Sequence, residues 1–178
     1  MLQVTKALLS LLEQDARKAR AHAEKCHELN IRRQEVQEVV LREARAQVEA
    51  LLADAPQPVL VVAGQGWHAG VVGIVAAKLV DLFAAPSVVI ALDGEVGRGS
   101  ARTAHGFHLY NGLRSAAPLL VRYGGHAAAA GMSVAAAQVD ALRAALCAAY
   151  QEQLGGTPRS RSLSVDATVS LDEIDEEF

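Results

Sequence analysis

"VLVVAGQGWHAG", Val59 to Gly70, decides the fold. Its first five residues are apolar and three of them are β-branched valines, as suits a strand buried on both faces, and the rest is a glycine turn that opens a helix. A strand that turns straight into a helix begins an α/β unit, so alternating strands and helices are expected after it. "APQP", Ala55 to Pro58, stands just before the strand and ends whatever helix precedes it.

Downstream the alternation continues. Val71 to Phe83 is expected as a helix, "PSVVIAL" as a second strand and "EVGRGSAR" as a third that carries glycines and polar residues. Phe107 to Ala117 reads as a short helix, "RYGGH" as a tight turn, "AAAAGMSV" as a strand despite its alanines, and Ala135 to Leu154 as a helix. "GGTPRSRS" is a flexible connector, and "LSVDATVSL" alternates as a strand does and is read as the first strand of a further module.

Upstream, the chain has no Gly or Pro as far as Asp54 and is rich in Ala, Glu, Arg and Gln, so it is expected to be helical throughout. Asp15 has the character of an N-cap: "LLSLLEQ" closes a short helix before it, and Ala16 to Leu52 forms a long one after it. At 1.5 Å per residue that helix extends roughly 55 Å, more than a compact domain needs. Its apolar positions, Ala16, Ala19, Ala23, Cys26, Val36, Val40, Ala44, Val48 and Leu51, form a thin stripe that needs a partner, as in a spacer between domains. The fold class is therefore α/β: a helical linker over 1–54, a compact mixed sheet flanked by helices over 55–154, and a connector with a truncated module over 155–178.

Composition sets the outer bounds. The chain has 178 residues, 51% of them hydrophobic and only 4% aromatic, which implies a sizeable core built from Ala, Val and Leu. Formal net charge is -3, yet Asp166, Asp172, Glu173, Asp175, Glu176 and Glu177 lie in the last stretch, and the rest carries three more basic than acidic groups. That balance is compatible with an anionic partner. Cys26 and Cys147 have neither metal-ligand nor redox spacing, which points to a reducing, cytoplasmic location. The N-terminal apolar run is too short and interrupted for a signal peptide or membrane span, so no membrane partner is expected.

Four constellations could carry chemistry. Gly64, Gly66 and Ala69 match the G-x-G-x-x-G/A dinucleotide pattern, but the acidic residue due about twenty residues on is missing, since "LVDLFAAP" stands there. What remains is a helix N-terminus that favours an anion, with Trp67 and His68 beside it; a capping or packing role is the plain alternative for His68. In "GRGSART", Arg98, Ser100 and Arg102 alternate and share one strand face, a cradle for phosphate oxygens, and Gly97 and Gly99 are read as letting a ligand or a second backbone approach. A solvated edge strand is the plain alternative. His105 and His108, three apart, suit a loop and a helix start better than a metal, since no carboxylate or thiol is near in sequence. His126 follows the glycine pair Gly124 and Gly125. No paired carboxylates, nucleophile elbow, Walker loop or cysteine-histidine cluster accompanies them.

"GWHAGVVGIVAAKL", "GRGSARTAHGFHLYNGL" and "RYGGHAAAAGMSV", in this order and spacing, resemble the DHH-associated domain of RecJ-type single-stranded-DNA exonucleases. The resemblance extends to "LLEQDARKARAHAEKCHELNIRRQEVQE", similar to that family's interdomain helix, and to "LSVDATVSLDEI", similar to the start of its oligonucleotide-binding-type barrel. It implies a DHH-superfamily phosphodiesterase that degrades single-stranded DNA from the five-prime end with Mn2+ or Mg2+ in repair and recombination. The metals would be held by an N-terminal DHH domain in cis that this sequence lacks; none is expected on this chain, and the fragment alone is expected to be inactive. His126 and Arg102 are implied as catalytic contacts, with Ser100, Arg98, Gly124, Gly125, His68 and Thr103 as phosphate-binding neighbours. Thr103 stands where a serine is common and keeps the hydroxyl. Single-stranded DNA is the implied partner, with a single-strand-binding protein and a helicase as protein partners.

Three alternatives stay open. A nanoRNase or cyclic-dinucleotide phosphodiesterase shares the glycine-histidine motif but usually lacks the "GFHLYNGL" type insertion and a following barrel. A non-catalytic binding module, as appended to alanyl-tRNA synthetases, would bind nucleic acid without metal. A nicotinamide or flavin site is the third.

Overall fold

The computed structural model describes residues 12–103, 106–155, 167 and 169. The short helix expected over "LLSLLEQ", His105, the connector after Gly155 and the alternating segment 163–171 lie wholly or mostly outside the described residues. The elements are α1 (Ala16–Asp54), β1 (Leu60–Gln65), α2 (Val72–Phe83), β2 (Ser87–Asp93), β3 (Val96–Arg102), α3 (Leu109–Ser115), β4 (Leu120–Gly125), β5 (Ala129–Ala135) and α4 (Val139–Leu154). They form a five-stranded sheet in the order β1-β2-β3-β5-β4, in which only β1 and β2 are parallel. This is the mixed sheet flanked by helices that the sequence implies.

The long helix begins and ends where its residues dictate. The Asp15 carboxylate accepts the Arg17 and Lys18 amides at 2.9 and 3.2 Å, which satisfies donors that no helical carbonyl can reach. At the other end Ala55 is extended because Pro56 follows it. The apolar stripe is used only from Val36 onward: Val40, Ala44 and Val48 are buried in one core with β1 and α2, whereas Ala16 and Ala23 are exposed.

Two cores lie on opposite faces of the sheet. In β1 and β2 the side chains alternate between them: Val61, Val88 and Ile90 face Phe107, Leu113, Leu142, Leu146 and Tyr150, while Leu60, Val62 and Val89 face Val48, Val75 and Leu79. In β3 and β5 only Ala101, Ala130, Met132 and Val134 enter a core, the one beneath α3 and α4. The other face of this half of the sheet carries Arg98, Ser100 and Arg102 from β3, and Gly131 and Ser133 from β5. The β1 and β2 part of the sheet is thus sandwiched, β3 is partly covered by the start of α2, and β5 and β4 are open on that face, where a ligand can lie.

Three expectations are corrected. Gly97 and Gly99 do not make room for a ligand; they face the core, where Ile90, Leu92 and Met132 occupy the space a Cβ would take. Leu120 to Gly125 is strand β4, not a plain turn, because β5 offers it a ladder from Val134 to Ala130. The helix expected over Phe107 to Ala117 is shorter at both ends: His108 caps it through the Asn111 amide, and Pro118 closes it in a 3-10 turn.

The β1 edge is closed by side chains. Gln47 of α1 donates to the Ala63 carbonyl at 2.9 Å and accepts the Ala63 amide at 3.2 Å, and Arg143 of α4 donates to the Val61 carbonyl at 3.0 Å. Together they occupy groups that an added strand would use. Gln47→Leu keeps the volume but strands both Ala63 groups, so it is expected to cost about 1–3 kcal/mol in urea denaturation. An unchanged midpoint would show that water serves the edge as well.

Candidate nucleic-acid interface

On the face of β3, β5 and β4 that carries Arg98, register fixes three rows across the strands. Arg98 pairs with Ser133, which also pairs with Arg122; Ser100 pairs with Gly131, which pairs with Gly124; Arg102 pairs with Ala129. His126 closes the third row, since its amide donates to the Ala129 carbonyl at 2.9 Å. Successive rows are two residues apart along the strands, about 6.6–6.8 Å.

Ser100 and Arg102 converge on the first turn of α2. A Cβ added at Gly73 would lie 3.3 Å from the Arg102 Nη2 and 3.4 Å from the Ser100 Oγ, so glycine there lets both groups approach the helix start. Arg102 is braced by donating to the Ala101 carbonyl at 2.8 Å. The α2 N-cap, Val71, has no capping side chain, so the positive end of the helix dipole faces these two donors uncovered.

Three of the histidines share one local device. His68 Nδ1 accepts the Gly70 amide at 3.0 Å, His126 Nδ1 accepts the Ala128 amide at 3.3 Å, and His108 Nδ1 accepts the Asn111 amide at 3.3 Å. A ring nitrogen that accepts carries no proton, so in each case Nε2 is the N–H donor. His68 and His126 are exposed and present that donor outward, whereas His108 is spent on capping α3.

Not all the sequence-derived site residues meet in one place. Ser100 and Arg102 lie together near Gly73, with His126 at the same end of the strands. His68 and Arg98 line a separate cleft of about 500 Å³ with Trp67, Asp93 and Val96, at the other end of β3. Arg98 also borders a depression of about 400 Å³ shared with Arg122, Gly124, Gly131 and Ser133. Thr103 is half-buried just past β3. Gly124 is open to the groove, but Gly125 is not: its φ of 144° and the closeness of the Ala129 carbonyl and Ala130 backbone make it a structural requirement.

The dinucleotide reading loses its footing at Gly64. The Trp67 ring occupies the space a Gly64 side chain would take, and its indole N–H donates to the Glu43 carboxylate at 2.7 Å. The glycine serves this ring. Nor do the described residues fit a divalent cation: no three His, Cys, Asp or Glu side chains come together among them, and the site's guanidinium and N–H groups are donors that repel one.

Residues 56–152 match the DHHA1 domain family. The chain belongs to that family. The chain is 40% identical over 146 residues to the single-stranded-DNA-specific exonuclease RecJ of Bacillus subtilis, covering 81% of this chain and 18% of that protein. Identity to RecJ of Thermus thermophilus is 36% over 142 residues, covering 80% and 20%. The solved structure of Thermus thermophilus RecJ in complex with Mg2+ superposes with a TM-score of 0.75 at 34% identity, over 83% of this chain and 23% of that one. The chain therefore spans about a fifth of the length of the curated relatives it matches.

Sequence reading of the DHHA1 domain missed Arg122 and Ser133, whose only signal was their phase in strands that lacked a clear pattern. It also missed Glu43, which holds Trp67 from 24 residues away.

Proposed function

We propose that this DHHA1 domain is the substrate-binding wall of a single-stranded-DNA exonuclease that hydrolyses phosphodiester bonds from the five-prime end in DNA repair and recombination. The observation that carries this is the single cationic face on which Ser100 and Arg102 meet the start of α2, with His126 at the same end of the strands. Further support comes from the relatives, which are named single-stranded-DNA-specific exonucleases.

The chemistry follows from charge. Hydrolysis of a phosphodiester builds negative charge on non-bridging oxygens, and preset donors stabilise it because they do not reorganise as it forms. Arg102 offers a guanidinium fork, Ser100 a hydroxyl and His126 an Nε2–H, and the α2 dipole adds positive potential. These groups bind and polarise the phosphate; none is placed as a base. The relatives include structures bound to Mg2+ and to manganese. In this reading such metals activate water from a separate DHH domain in cis, single-strand-binding protein and a helicase deliver the strand, and the setting is the cytoplasm.

The test is direct. Joined to its metal-bearing domain, Arg102→Ala or His126→Ala is expected to lose roughly 10²–10³-fold in turnover of a five-prime-phosphorylated single strand, as loss of one such donor does. Unchanged turnover of both variants would remove the basis of the proposal. The 178-residue chain by itself is expected to show no digestion with Mn2+, and robust digestion would overturn the division of labour.

A further inference from the structure

The row farthest from His126 has no part in the chemistry above, yet it is built for an anion. Arg98 and Arg122 stand on strands separated by one other, with Ser133 paired to both. Their Cα atoms are therefore about 9.4–9.8 Å apart, and both long side chains border the same depression of about 400 Å³. Both are exposed, and among the described residues neither guanidinium has a hydrogen bond or an ion pair, while no carboxylate lines the depression. Two like charges facing one small space repel each other unless an anion lies between them.

Between this row and Arg102 lies the row Ser100, Gly131, Gly124, where two of the three positions have no side chain. Gly131 and Gly124 are exposed, so the floor between the two cationic rows is bare backbone along which a sugar can pass. We propose that Arg98, Ser133 and Arg122 form a second phosphate subsite, so that the domain grips two consecutive phosphates of one single-stranded nucleic acid. Along β3 the Arg98 row lies about 6.6–6.8 Å from Ser100 and about 13 Å from Arg102, so a phosphate held between Ser100 and Arg102 and one held at Arg98 sit on either side of the glycine row. This rests on the proposed function, in which the Ser100, Arg102 and His126 end takes the first phosphate.

The probes are thymidine monophosphate, with one phosphate, and five-prime-phosphorylated dithymidylate, with two, titrated at low salt into the 178-residue chain by calorimetry or NMR. A second charge-assisted contact is expected to make the dinucleotide bind about tenfold tighter. Arg122→Ala is expected to bring that ratio toward one, Arg122→Lys to keep part of it, and Arg102→Ala to weaken both ligands. Arg122 is exposed on an edge strand, so circular dichroism of the variants should match the parent. A ratio unmoved by Arg122→Ala, or equal losses on both ligands, overturns the subsite while leaving an Arg102-dependent site intact. No binding of either probe by the unaltered chain overturns the subsite and the reading beneath it.

Discussion

Gly125→Ala is expected to lower the stability of the domain by about 3 kcal/mol, while Gly124→Ala changes it by no more than about 0.5 kcal/mol. The two glycines look equivalent in sequence but meet different constraints. Gly125 has a φ of 144°, where a side chain is strained, and an added Cβ would press on the Ala129 carbonyl and the Ala130 backbone. Backbone cannot rotate aside as a side chain can, so strand β4 has to pull away from β5. Gly124 has nothing within 4 Å of the corresponding position. Its methyl group would instead stand in the glycine row of the groove, so Gly124→Ala should weaken oligonucleotide binding without moving the unfolding midpoint. Urea denaturation of both variants, with titration of a single strand into each, separates the roles. Equal midpoints for the two would mean that Gly125 is not held as described.

What the sequence could reveal here depended on distance along the chain. Asp15 as a cap, the break at Ala55 and the phase of Arg98, Ser100 and Arg102 are local facts, set by neighbours within a few residues. The same period-two phase assigns Gly97 and Gly99 to the opposite face, so their role was misread by setting aside a rule the arginines obeyed. Strand β4 was hidden because "LVRYGG" has two glycines and a proline just upstream, both poor in strands, and its ladder is supplied by β5 with a register shift between Leu120 and Arg122. The clasp of Gln47 on Ala63 and of Arg143 on Val61 spans 16 and 82 residues and leaves no periodic trace. The cradle on one face of β3 was legible from that phase, but its meeting with α2 was not: nothing local announces that Arg102 reaches Gly73, which sits on a helix separated from β3 by β2.

Gly64→Ala is the second large effect, expected to cost about 3 kcal/mol and to shift the fluorescence of the single tryptophan to the red. The Trp67 ring lies on the bare Gly64 backbone, is only 8% exposed, and is held on its polar edge by Glu43 at 2.7 Å. A methyl group at position 64 takes the ring's space, so the indole either breaks its bond to a carboxylate or lifts out of the core toward water. Because Trp67 also anchors the turn that carries His68 and leads into α2, the phosphate affinity should fall with it even though Arg102 is untouched. Trp67→Phe, a smaller ring, should cost less in the Gly64→Ala background than alone, and strictly additive costs would show that ring and glycine are not in contact. The pair also separates two meanings of the same motif. In a dinucleotide site the glycine would make room for a pyrophosphate, and Gly64→Ala would abolish cofactor binding without disturbing tryptophan emission. Here the space belongs to a side chain of the domain, so emission and stability must change together.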